Sequence, residues 1–364
     1  MAVVRQHFND TRLVGVGPDG FEVYACKTGT GRRLEVHAMP WRNADDRQRF
    51  VEEIAAFRQD AASYVGWRRD GQEAGPNLSL LVLQAASHRL VDLPLDRTAQ
   101  GVRSRLSVAA QIARSLSAMS KAGYVHGALD TAMVLVDQDT RVKGRFKKAV
   151  LAHRYPAIKA GSRAKLSEPP LRGMGTPFIA PELRKGGGEF SERTDVYAFG
   201  AVLFDLLLGQ PPSDVYTDYV KFDSESPVLG QLLRDLLAKN RSRPIHPSRM
   251  MQLSGMVPGV QGKRLRKLAK TAEVHTFGTV LFDFFLGRPP DEVFAKYLEL
   301  NVQLPSIGRL LRECLSPTPA NRVRLRDAAD RLGRLGGGGE AMQSWFVAPC
   351  HIKDLPSLKA RPPH

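Results

Sequence analysis

Apolar residues along this chain fall into a few strongly patterned runs. Ser107–Ala122 (SVAAQIARSLSAMSKA) carries them at helical spacing, while Ala149–Ala152 is a short continuous apolar run that reads as a strand. Two later runs are denser: Thr194–Gly209 (TDVYAFGAVLFDLLLG) and the segment from Val274 (VHTFGTVLFDFFLG). In the second, Val274, Phe277, Val280, Leu281, Phe284, Phe285 and Leu286 cover too much of the circumference for a surface helix. Burying each large side chain is worth about 1.5–3 kcal/mol, so exposing the group would cost on the order of 10 kcal/mol. The run is too short for the roughly 20 residues that cross a bilayer, and Asp205 or Asp283 falls inside each copy. The pattern predicts two buried helices.

These two runs are copies. Residues 196–212 and 274–290 match at 11 of 17 positions, and the same offset of 78 continues without a gap through Pro227 with Pro305, Gly230 with Gly308, and LLRDLL with LLRECL. Two copies at this distance suit a local tandem duplication better than a solenoid. The second copy stacks as an extra helical subdomain, displaces the first, or meets a partner chain; exchange of equivalent segments would also offer a route to a homo-oligomer.

Between the first helix and the first copy stand Gly123–Val136 (GYVHGALDTAMVLV) and Gly175–Leu183 (GTPFIAPEL). In that order and at those separations, helix, loop, Ala180-Pro181-Glu182 triplet and central helix opening at Asp195 resemble the large lobe of a protein kinase. An active member's catalytic loop reads His-Arg-Asp-Leu-Lys-x-x-x-Asn, the Asp serving as base and the Asn holding magnesium. Here the frame reads His126, Gly127, Ala128, Leu129, Asp130, Thr131, Ala132, Met133. Ala128 takes the base position and Met133 the metal position. Asp130 puts a negative charge where the family usually has lysine. The second metal ligand, from Asp-Phe-Gly, falls on His153 in the preferred alignment or on Phe146 in an ungapped count. Residues 140–167 hold nine Lys or Arg and no acid, so a hard cation finds no carboxylate there.

The amino-terminal region extends the resemblance. Gly15, Gly17 and Gly20 match a Gly-x-Gly-x-x-Gly loop over ATP phosphates. Pro18 removes a backbone donor inside it, and Asp19 repels phosphate. In LEVHAMPW (Leu34–Trp41), His37 occupies the position of the phosphate-pairing lysine. An imidazole of pKa near 6.5 is largely neutral at pH 7, which makes it a poorer counter-ion. Its helical partner is best matched by Glu53, with Glu52 as the fallback. The Glu-Val-His strand joined to a decayed catalytic loop is similar to the rhoptry kinase family of apicomplexan parasites. That likeness implies a secreted effector and admits both active kinases and pseudokinases. The family's buried pair between the triplet glutamate and an arginine would join Glu182 to Arg243 or to Arg322.

Composition fits a soluble, mixed domain: 364 residues, 43% hydrophobic, three cysteines and therefore no even disulfide framework. The start, MAVVRQHFNDTRL, shows no apolar secretory segment, which leaves a cytosolic location open beside the secreted one. A formal charge of +16, gathered in 141–165 and in Gly262–Lys270 (GKRLRKLAK), reads first as solvated faces; as binding surfaces these clusters would attract anionic membrane ahead of nucleic acid.

The reading is therefore an α+β, bilobal protein-kinase-like fold: a small β-rich lobe over 1–84, a helical lobe over 85–253, a basic linker over 254–270, duplicated helices over 271–335, and a flexible tail over 336–364 with Trp345 and Phe346 as anchors. Its expected role is that of a pseudokinase binding a protein partner, a kinase or a host protein. It would take no cofactor, or ATP weakly and without protein-held magnesium. The rival is an atypical ATP-dependent transferase using Asp130, Asp137 or Asp139 in place of the lost ligands.

Overall fold

The computed structural model describes residues 4, 8–16, 22–27, 29, 33–40, 67–69, 78–84, 88–93, 95, 99–138, 145–151, 158–167, 171, 174–184, 186–238, 247–271 and 273–336. The chain divides into two compact units. One is formed by Met1–Asp195 with Arg324–His364, the other by Val196–Val323.

The first unit opens with strands. β1 (Asn9–Val16), β2 (Glu22–Lys27), β3 (Arg33–Pro40), β4 (Trp67–Arg69) and β5 (Leu78–Gln84) form an antiparallel sheet in the order β1-β2-β3-β5-β4. Alternate residues of β2 and β3, among them Tyr24, Cys26, Leu34, Val36 and Ala38, point to one face and close with Val4 and Phe8 into a small core. Two short sheets follow. β6 (His88–Arg89), β8 (Val134–Gln138) and β9 (Phe146–Leu151) pair in the order β6-β8-β9, and β7 (Tyr124–Val125) pairs with β10 (Ile158–Lys159).

Helix α1 (Ala99–Lys121) buries Val108, Ile112, Leu116 and Met119 at helical spacing, as its apolar stripe predicts. It also grips the open edge of β9. Ser104 Oγ accepts the Phe146 N–H at 2.7 Å and Gln111 Oε1 accepts the Ala149 N–H at 2.8 Å, satisfying two donors that a sheet edge would otherwise leave unpaired. After the short α2 (Pro181–Arg184) comes α3 (Glu192–Leu208), whose first residues belong to this unit and whose remainder runs into the other.

The second unit contains both copies of the repeat. The first is α3, α4 (Asp214–Glu225) and α5 (Pro227–Leu237); α6 (Pro247–Gly255) and α7 (Gly259–Thr271) intervene. The second is α8 (Val274–Leu286), α9 (Glu292–Gln303) and α10 (Pro305–Cys314). The copies pack on each other by exchange. A methyl group on Gly278 of α8 would lie 2.8 Å from Leu236 Cβ of α5, and one on Gly200 of α3 would lie 2.6 Å from Cys314 Cβ of α10. At the offset of 78, Gly200 corresponds to Gly278 and Leu236 to Cys314. Each central helix thus seats against the other copy's last helix, and the exchange closes within one chain.

Around this internal two-fold relation lies an aromatic cluster. Phe204, Tyr216 and Tyr219 of the first copy interleave with Phe282, Phe294 and Tyr297 of the second, with ring centroids 4.7 Å apart for Tyr216–Tyr297 and 4.8 Å for Tyr219–Phe294. In α8 the buried residues are Phe277, Gly278, Val280, Leu281 and Phe282. Phe282, absent from the predicted buried set, is fully enclosed, whereas Phe284 from that set is 37% exposed. The correction follows from the exchange, because the face presented to α5 is centred on Gly278.

The chain returns to the first unit with α11 (Leu325–Leu335), which packs along α1 and buries Leu325, Ala328, Ala329 and Leu332. Its counterpart at the offset of 78 is α6, which buries Met250 and Ser254 where α11 buries Ala328 and Leu332. The repeat therefore reaches one helix beyond the matched sequence. The tail after Gly336, with Trp345 and Phe346, lies outside the described residues.

Candidate functional site

The loop between β7 and β8 is held by a single buried carboxyl group. Asp195, in the first turn of α3 and 2% exposed, accepts the His126 N–H on Oδ2 at 2.7 Å and the Gly127 N–H on Oδ1 at 2.9 Å. Burial pushes its carboxyl up to about 7; the two backbone donors pull the other way, and Glu192 adds to the rise. Glu192 is itself tied down, its Oε1 accepting the Leu325 N–H at 3.1 Å.

Gly127 has φ +70°, a left-handed conformation that L side chains rarely adopt. A Cβ there would also lie 2.5 Å from Ile158 Cδ1. Glycine at the position where the kinase frame has arginine is thus part of how this loop is built.

The two positions that the resemblance assigns to base and metal, Ala128 and Met133, carry apolar side chains. Ala128 is buried, its N–H donating to His126 Nδ1 at 3.3 Å. Met133 is buried as well. Between them, Asp130 caps the 3-10 turn Thr131–Met133, its Oδ1 accepting the Met133 N–H at 3.1 Å. One oxygen of this carboxylate thus serves a backbone donor. Asp137 sits on β8 opposite Lys148, and Asp139 lies outside the described residues.

A magnesium ion needs oxygen ligands, and a methyl group and a thioether offer none, so this loop does not fit a metal held at the family's asparagine position. Among the described residues no group of three or more His, Cys, Asp or Glu is placed to hold a metal ion. His153 lies outside the described residues. Phe146, its alternative, is buried in β9.

In the small sheet the register places Gly15 of β1 and His37 of β3 on either side of Val23 of β2, with Leu81 of β5 next in the row. β1, which carries Gly15, and β3, which carries His37, thus flank β2. Gly17, Gly20, Glu52 and Glu53 lie outside the described residues. So does Arg243. Glu182 is half-buried in α2. Arg322 is buried in the second unit, with its guanidinium 5.0 Å over the Tyr197 ring and its Nε donating to the Ser316 carbonyl at 2.8 Å.

One polar cluster escaped the sequence reading. In the second unit Asp223 faces two arginines, Arg234 Nη1 at 2.5 Å and Arg312 Nε at 3.2 Å, all three largely buried. The arginines correspond at the offset of 78, as do Asp223 and Asn301. Arg234 also donates to Tyr219 Oη, and Arg312 to Tyr297 Oη. Extending the repeat comparison to polar residues would have found this pairing.

A family model for protein tyrosine and serine/threonine kinase matches residues 42–226, just over half of the chain. Among curated relatives, the chain is 26% identical over 249 residues to the proline-rich receptor-like protein kinase PERK3 of Arabidopsis thaliana, covering 65% of this chain and 45% of the relative. It is 22% identical over 263 residues to the serine/threonine-protein kinase CDG1 of Arabidopsis thaliana, covering 70% and 58%. With the dual specificity testis-specific protein kinase 1 of Homo sapiens it shares 34% identity over 117 residues, 31% of this chain and 17% of the relative. The chain spans about half the length of the first two. The ordered strands, the Asp195-held loop and the triplet before the central helix agree with these matches: the chain belongs to the protein tyrosine and serine/threonine kinase family, with an α+β kinase-like fold.

Proposed function

We propose that this chain is a catalytically impaired member of its family, a pseudokinase that acts by binding another protein. The supporting observation is that Asp195 holds the catalytic loop in place while Ala128 and Met133 fill its base and metal positions with buried apolar groups. Losing one electrostatic element of a transition-state site costs about 2.7–4 kcal/mol, roughly a hundred to a thousandfold in rate. Even with strongly non-additive losses, ordinary phosphoryl transfer does not survive both substitutions. Asp130, the substitute acid within the loop itself, caps a turn. Nucleotide, if held, is held weakly and without magnesium gripped by this loop.

The Glu-Val-His strand favours a rhoptry-type secreted effector whose partner is a kinase or host protein. Thermal-shift titration with ATP and magnesium or manganese, followed by labelled phosphate transfer to itself and to a general kinase substrate, tests the reading. No transfer and no metal-dependent stabilisation are expected. Stoichiometric turnover abolished by Asp130→Ala would overturn it in favour of the atypical transferase.

A further inference from the structure

The helical pair that lies between the two copies in sequence carries a basic surface. From Pro247 to Thr271 there is no aspartate or glutamate, and Arg249, Lys263, Arg264, Arg266, Lys267 and Lys270 are all exposed. None of the six makes an ion pair among the described residues.

The fold fixes which way this surface looks. Helix α7 buries Gly262, Leu265 and Ala269. A Cβ on Gly262 would lie 1.8 Å from the Val257 carbonyl oxygen, so the corner joining α6 to α7 is closely packed. At about 100° per residue, the five cations of α7 fall within an arc of roughly 160°, on the side opposite the buried residues. Val260 lies inside the same arc, about 60° from Lys263. It is 83% exposed, and Met256, at the corner, is 65% exposed.

A solvated charged face has no use for Val260 among its cations, nor for Met256 exposed at the adjoining corner. An anionic bilayer uses both: phosphate and carboxylate headgroups meet the lysines and arginines, while short aliphatic groups enter the headgroup boundary. Single-stranded nucleic acid would call for aromatic platforms, and α6–α7 contains no aromatic residue. We infer that the outer face of α7, with Met256 and Val260 at its start, is a docking surface for anionic membrane. This surface is independent of the catalytic standing proposed above.

The test is sedimentation of the full chain with phosphatidylcholine vesicles, with and without phosphatidylserine, over a salt series. Binding is expected only to the anionic vesicles and should fade as salt rises. Lys263→Glu with Lys267→Glu is expected to weaken it by at least about twentyfold, since each surface cation contributes about fivefold. Met256→Ser with Val260→Ser, which leaves the charge unchanged, should weaken vesicle binding but not retention by duplex DNA. Arg309→Glu with Arg326→Glu, exposed cations elsewhere, serves as the control and should change vesicle binding far less. Circular dichroism checks that each variant is folded. Equal binding to neutral vesicles, an equal loss in the control, or vesicle binding untouched by the two serines would overturn the inference; the last, with strong DNA retention, would assign the face to nucleic acid.

Discussion

Gly278 seats against Leu236, and its counterpart Gly200 seats against Cys314, the counterpart of Leu236. Alanine in place of a mid-helix glycine ordinarily stabilises by about 1 kcal/mol. Here each added methyl falls inside 3 Å of a neighbouring Cβ, where overpacking costs about 1–3 kcal/mol. Gly200→Ala and Gly278→Ala are both expected to lower the midpoint of urea unfolding, by similar amounts. A rise in either would show that the helices are not in this contact.

Among the described residues, Asp223 is the one carboxylate paired with both Arg234 and Arg312. Removing a partner from a buried pair typically costs about 3–5 kcal/mol, so Asp223→Ala should be among the most destabilising changes in the second unit. Asn301 Oδ1 already lies 3.1 Å from Arg312 Nη1. Asn301→Asp should therefore recover part of the loss caused by Asp223→Asn, read as a double-mutant cycle in chemical denaturation.

Restoring the family's arginine at Gly127 is expected to harm rather than repair. The left-handed backbone costs an L residue about 1–2 kcal/mol, and Ile158 occupies the space its Cβ needs. Gly127→Arg should lower thermal stability. Gly127→Arg with Ile158→Ala should recover the steric part and leave the backbone part.

Asp195 gives stability a pH dependence of definite sign. Its carboxyl is raised by burial from 3.8 to about 7, so between those values the folded chain binds more protons than the unfolded chain. The contribution is complete below about 3.8 and is lost as pH rises through about 7. Asp195→Asn removes the titrating group. Compared with that variant, the parent protein should lose stability between pH 5 and pH 8, measured by thermal melts in matched buffers.

How far the sequence reaches depends on which residues carry each feature. The loop at His126–Met133 and the triplet at Ala180–Glu182 are short, ordered and chemically distinctive, so the kinase frame is legible without coordinates. The 78-residue offset exposes the duplication. The exchange is hidden, because Gly200 and Gly278 are the same residue and either could meet Leu236 or Cys314. The extension to α6 and α11 is hidden for the opposite reason: of Pro247–Gly255 and Leu325–Gly333 only the final glycines match. What persists there is the buried face, Met250 and Ser254 against Ala328 and Leu332. In the sequence Asp130 shows only its charge, whereas its backbone φ of −137° and ψ of 176° make it a turn cap.

The crossed seating of the two copies also says how such a gene could grow. An ancestor with one copy would have placed Gly200 against its own Leu236; after duplication, each helix found a ready-made surface on the newcomer, and no new interface had to evolve before the longer chain could fold. Excising Ala238–Leu315, which joins Leu237 directly to Ser316, should then return a shorter protein that still closes on itself.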